Sequence, residues 1–172
     1  MSSDTVLPIL LIMAVILSGI YAGNYDAGKE FSGSNDGGSL IYLNQEFGFK
    51  FYLPAAWQGY SVLETVWEGH GVDGELQGKI AASGPQFLLR HPLWTQEVPR
   101  QDIPIMVFTL DQWESMQQGR FHIGAAPIGP SELGRNNGYV FALPARYNFA
   151  FPAGFEEVEQ ILAAKPLLAF DI

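Results

Sequence analysis

The stretch IYLNQEFGFKFYLP, Ile41 to Pro54, decides the fold class. Phe47, Phe49, Phe51 and Leu53 recur at every second position, with Gly48, Lys50 and Tyr52 between them. A period of two marks a strand with one buried face. Asn44-Gln45-Glu46 reads as a turn, so Leu40–Leu43 and Phe47–Leu53 are expected to pair as a hairpin. Pro54 has no N–H to give to a ladder and closes the second strand.

Further strands follow. Tyr60–Gly69 is rich in β-branched and aromatic residues, and HGVDGE after it is a turn. LQGKIAASGPQFLLRH reads as one long strand broken at Gly84-Pro85. Ile103–Leu110, IPIMVFTL, is a continuous apolar run that fits a central strand buried on both faces. Thr109 and Gln112 have the spacing of a capping box, and Leu110, Trp113 and Met116 or Gln117 recur at helical spacing until Gly119. GRFHIG, Gly119–Gly124, reads as a short strand. Gly124–Gly138, rich in glycine and proline, reads as a long structured loop with an Asn137-Gly138 turn. Tyr139–Phe151 is strand-like, and Pro144 suggests an edge or a bulge. A last helix over about Phe155–Ala164 shows Phe155, Val158, Ile161 and Leu162 on one face. Glu156, Glu157 and Glu159 lie toward its N-terminus, Lys165 follows its C-terminus as the helix dipole favours, and Pro166 stops it. Strands punctuated by two helices indicate an α+β fold, an antiparallel β-sheet flanked by helices.

The N-terminus differs from the rest. Val6–Ala22, VLPILLIMAVILSGIYA, carries no charge, and MSSDT before it carries Asp4 and no cation. Residues 1–22 are therefore expected to be a hydrophobic helix preceding the domain. An uncleaved membrane anchor, a cleaved signal peptide and a buried helix are its three readings. Residues 23–39 are rich in Gly, Ser, Asn and Asp and read as a flexible linker. The folded α+β domain is expected over residues 40–172, outside the cytoplasm.

Composition narrows the function. Apolar residues make up 48% and charged residues 16%, which excludes a disordered chain. The net charge is −9, and no run of Lys or Arg exists to neutralise phosphates, which excludes nucleic acid as a partner. There is no cysteine, hence no disulfide, thiol nucleophile or cysteine-ligated metal.

NQEFGFKFYLPAAW, Asn44–Trp57, resembles the opening hairpin of PsbP-like domains, in which a Gly-Phe strand ends in Leu-Pro and a Trp follows. RQDIPIMVFTLDQWE and GAAPIGPSELGRNNGYVFALPARYN are similar to a group of uncharacterised extracytoplasmic bacterial proteins. The PsbP-like resemblance implies an antiparallel sheet flanked by helices and a non-enzymatic accessory or binding role. Neither resemblance carries a catalytic residue onto this chain.

Candidate chemistry concentrates in the connection FLLRHPLWTQEVPRQDIPIMVF, Phe87–Phe108. Arg90, His91, Trp94, Arg100 and Asp102 are the candidate ligand-binding residues, since loops between rigid strands carry function. Arg90 and Arg100 can pair with Glu97 and Asp102. If the flanking strands pair, His91 could donate to Asp102 as a general base does, giving a hydrolase as an alternative. Ser131 in GPSELG lacks the G-x-S-x-G setting and reads as the cap of a short turn. His70, His91 and His122 have no zinc-ligand spacing, with His70 in a glycine turn and His122 pointing out from a strand. No EF-hand or P-loop pattern is present, and nothing links Glu114 to Glu132 as a carboxylate pair. No cofactor and no metal are expected. Trp67 and Trp113 follow apolar periods and read as core, while Trp57 and Trp94 lie in loops and are freer to face a ligand.

These features point to a non-catalytic binding or accessory domain, membrane-anchored or secreted, whose partner is a protein or cell-envelope component. Two alternatives stand beside it. One is an extracytoplasmic hydrolase using His91 and Asp102. The other is a subunit of a membrane complex or filament, held in the membrane through residues 6–22.

Overall fold

A computed structural model describes residues 38–124 and 128–172. The expected hydrophobic helix, most of the linker and residues 125–127 of the glycine-rich loop lie outside them. Among the described residues, no helix is long and apolar enough to cross a membrane.

The hairpin forms as the alternation requires. β1 (Leu40–Asn44) and β2 (Phe49–Leu53) pair antiparallel from Leu40↔Leu53 to Asn44↔Phe49. β9 (Leu167–Ala169) joins the other edge of β2. A six-stranded antiparallel sheet contains the rest, in the order β6 (Phe121–Ile123), β3 (Ser61–Gly71), β4 (Ile80–Arg90), β5 (Ile103–Thr109), β8 (Tyr139–Leu143), β7 (Ser131–Arg135). α1 (Leu110–Gln117) leaves β5 directly through the expected capping box. The Thr109 side chain accepts from the Gln112 amide, and the Gln112 side chain accepts from the Thr109 amide. α2 (Phe155–Ala163) precedes β9.

β5 organises two cores. Ile103, Ile105 and Val107 point to one face, where Phe49, Phe51 and Leu53 of β2 and Val158 of α2 meet them together with Phe87, Leu89 and Phe141. Met106 and Phe108 point to the other face, against Trp113 and Met116 of α1 and Trp67. A strand covered on both sides has no polar face, hence its continuous apolar sequence.

Four local expectations change. Gly84-Pro85 does not break β4, which runs through it; the ladder between β4 and β5 reaches only as far as Gln86↔Met106, Gln86 being the residue that follows Pro85. The Gly124–Gly138 segment is not all loop, because Ser131–Arg135 is β7, paired to β8 with a register shift between Glu132 and Gly134. Ser131 therefore opens a strand and caps no turn. Tyr139–Phe151 is not one strand: β8 stops at Leu143, ahead of Pro144, and it lies between β5 and β7, away from any edge. His70 belongs to β3, opposite His122 of β6, with the ring centroids 6.3 Å apart.

Candidate functional site

Strand register sorts the five expected site residues. β4 and β5 pair through Leu89↔Ile103, so one step further Arg90 lies opposite Asp102 and His91 opposite Gln101. Neighbouring residues on a strand point to opposite faces. Arg90 and Asp102 therefore share the α1 side of the sheet, whereas His91 follows Phe87 and Leu89 toward the β2 side.

On the α1 side the Arg90 guanidinium forks onto the Asp102 carboxylate. Nε donates to Oδ1 at 3.1 Å and Nη2 donates to Oδ2 at 2.7 Å. The same guanidinium lies 3.8 Å above the Trp94 ring, a cation–π contact. Trp94, Arg90 and Asp102 thus form one stack, held by a bidentate ion pair and a ring face.

The expected hydrogen bond from His91 to Asp102 does not form. His91 is only 5% exposed, sits edge-on to Trp57 with centroids 5.0 Å apart, and accepts the Leu93 amide at Nδ1. Burial lowers its pKa first, the nearby Arg100 charge lowers it further, and Glu157 opposes both. Its basicity answers to Arg100 and Glu157, because Asp102 is across the sheet.

Arg100 pairs with Glu157 of α2, at 3.3 Å from Nη2 to Oε2, and not with Glu97, which is exposed. The other Glu157 oxygen accepts from Trp57 Nε1 at 3.1 Å. Trp57, expected to be free to face a ligand, is 1% exposed and belongs to the core. The Arg100 guanidinium packs onto Gly154 at the start of α2, where a Cβ would lie 2.8 Å from Nη2. Gly154 also holds φ +82, so this position suits glycine twice over.

Arg100 and Asp102 line a cleft of about 540 Å³ with Gln86, Leu88, Gln101, Pro104, Pro144, Tyr147 and Phe149. Register explains its place. Leu88 and Pro104 pair on the face that α1 covers further along, at Met106 and Phe108. With only eight residues, α1 covers one part of that face, and the chain after β8 walls the other.

Gln101, 6% exposed, ties the wall to the floor. Its Nε2 donates to the Asp102 carbonyl at 2.8 Å and to the Tyr147 carbonyl at 3.2 Å. Its Oε1 is buried with no hydrogen-bond partner among the described residues, as is Arg100 Nε. Within the wall, Arg146 (φ +56) and Phe151 (φ +46) hold left-handed backbone. Non-glycine residues there cost of order 1–3 kcal/mol and persist only where the surroundings hold them, often at ligand sites. Phe149 and Phe151 are 73% and 65% exposed.

Of the five expected site residues, Arg100 and Asp102 line this cleft; Gln101, Tyr147 and Phe149, which also line it, were not among them. By pattern alone Phe149 and Phe151 continue a strand; Pro144, directly after the end of β8, is the signal against it. Among the described residues, no group of three or more His, Asp or Glu side chains is placed to hold a metal ion. In comparisons with known protein families, curated proteins and solved structures, the chain has no match.

Proposed function

We propose that the chain is a non-catalytic binding or accessory domain, displayed at the cell surface or secreted, that takes a protein or cell-envelope component in the cleft between the Arg100–Pro104 stretch and the Pro144–Pro152 wall. The observation that carries this reading is the wall itself. It exposes Phe149 beside an apolar floor of Leu88 and Pro104, and Arg100 and Asp102 line the same cleft. Aromatic anchors beside a small number of fixed polar groups are what recognition sites use. The uncharged Val6–Ala22 stretch supports export or anchoring.

A photo-crosslinking amino acid at Phe149 of the full chain, in the organism that makes it, tests the proposal. A specific adduct from Phe149, absent from the same probe at exposed Leu168 of β9 and lost when Leu88→Glu blocks the floor, is expected. Equal adducts from both positions, or none from Phe149, would overturn it.

A further inference from the structure

The outer edge of β3 is without a neighbouring strand over most of its length among the described residues. β3 pairs with β4 over its whole length, from Ser61↔Arg90 onward, but with β6 only at Gly69, His70 and Gly71. From Ser61 to Glu68 its other edge has no strand beside it among the described residues.

The direction of each backbone group along that edge follows from the neighbouring bonds. The Gly71 amide donates to Lys79 on the β4 side, and the Val72 amide donates to Arg120 on the β6 side. The register shift between Gly69 and His70 puts its extra residue, Ala81, on β4, so alternation along β3 continues through it and sends the N–H and C=O of Val62, Glu64, Val66 and Glu68 outward. Pro85 agrees. It lies opposite Val66, and a residue without an N–H is tolerated there because that pair exchanges no ladder bonds.

Native sheets protect their edges with short strands, bulges, proline or lysine. β6 has three residues and β7 carries a bulge. The register of β3 with β4 is unbroken from Ser61 to Gly69, and SVLETVWE contains neither proline nor lysine. Val62 and Val66 are 36% and 66% exposed, and Glu64 and Glu68 are exposed between and beyond them. These glutamates are the ionisable side chains of the stretch, in a chain of net charge −9. A second copy would bring the same glutamates to the same edge, and like charges facing each other across a ladder are unfavourable.

We propose that this edge is a strand-addition site for an extended segment of a partner protein that alternates Lys or Arg with aliphatic residues. Its backbone pairs with Val62, Glu64, Val66 and Glu68, and its cations meet the two glutamates. The proposal is independent of the cleft, none of whose lining residues belongs to β3.

Amide hydrogen exchange on the full chain tests it, with an acetylated octapeptide of alternating lysine and valine as the probe. The outward amides of Val62, Glu64, Val66 and Glu68 should exchange fast in the free chain and slow down with peptide. A glutamate–valine octapeptide should bind at least ~10-fold more weakly, because like charges oppose each other. N-methylation of alternate peptide residues should abolish binding. Val66→Pro removes an outward N–H and should abolish it too. Should that variant unfold, Glu64→Lys with Glu68→Lys should reverse the preference to the glutamate peptide. Three results would overturn the proposal: outward amides already protected in the dilute free chain, protection that grows with protein concentration alone, or an N-methylated peptide that binds like its parent.

Discussion

Trp67 of β3 reaches across Gly84 of β4 and donates its indole N–H to the Val107 carbonyl of β5 at 2.8 Å. The β4–β5 register, extended one step, sets Pro85 opposite Val107, and Pro85 has no N–H to give. The indole replaces the missing ladder bond. It passes over Gly84, where a Cβ would lie 2.7 Å from Nε1. Trp67→Phe should therefore cost about 1–3 kcal/mol, the penalty for a buried carbonyl left unpaired. Pro85→Ala in that background should recover roughly 0.5–1.5 kcal/mol by restoring an N–H. Urea unfolding of the single and double variants checks this; an additive pair would contradict the replacement.

Asn136 clasps three chain segments. Its Nδ2 donates to the carbonyls of Phe47, Gly48 and Phe170, and its Oδ1 accepts from the Gly138 and Tyr139 amides. Asn136→Ala is expected to destabilise by about 3 kcal/mol or more, since several part-buried groups lose partners together. Asn136→Asp keeps the acceptor but turns a carboxylate toward three carbonyls, and its melting temperature should fall nearly as far.

His91 and Asp102 should behave as independent sites. His91→Ala and Asp102→Ala should each destabilise by roughly 1–3 kcal/mol, and the double variant should equal their sum within about 0.5 kcal/mol. Arg90→Ala and Asp102→Ala share an ion pair and should fall well short of additivity. Coupling between His91 and Asp102 in the double-mutant cycle would contradict their separation by the sheet.

The His91 imidazole should titrate below the ordinary 6.5, because burial and Arg100 disfavour its charged form. The unfolded chain then takes the proton more readily. The stability tied to neutral His91 is present above pH 6.5 and is lost as pH falls through the folded value. Proton NMR gives the midpoint, and His91→Gln should flatten the acid limb of the stability curve.

Tyr42 moves stability at the other end of the scale. Burial pushes its pKa from 10.0 up to about 12, Glu64, Tyr60 and Glu46 add to the rise, and the Asn44 side-chain amide opposes it. Its contribution is complete below pH 10.0 and is lost as pH rises through about 12. Denaturation midpoints across that range should fall more steeply for the native chain than for Tyr42→Phe.

Local pattern carried the fold. The alternation of Phe47, Phe49 and Phe51 gave the β1–β2 hairpin, the unbroken run from Ile103 gave the doubly covered β5, and Thr109 with Gln112 gave the capped start of α1. Each depends on residues a few positions apart, whose periodicity or hydrogen bonding is fixed by the backbone of one element. Glycine and proline misled where their role was long-range. Gly84-Pro85 looked like a break because the indole that crosses it comes from Trp67, on another strand.

For the cleft, the sequence determined that Arg90–Asp102 is a polar, proline-stiffened connection between two strands, and so that Arg100 and Asp102 lie near a sheet end. It could not determine which side of the sheet each residue takes. That needs the β4–β5 register, and a shift of one residue exchanges the faces. The register put Asp102 with Arg90 and His91 with Trp57, and the fold carried Tyr147 and Phe149 back over Leu88 and Pro104. Strand existence is written in side-chain periodicity along the chain. Which side chains meet is decided by pairing between strands far apart in sequence, where only the packed whole fixes the register.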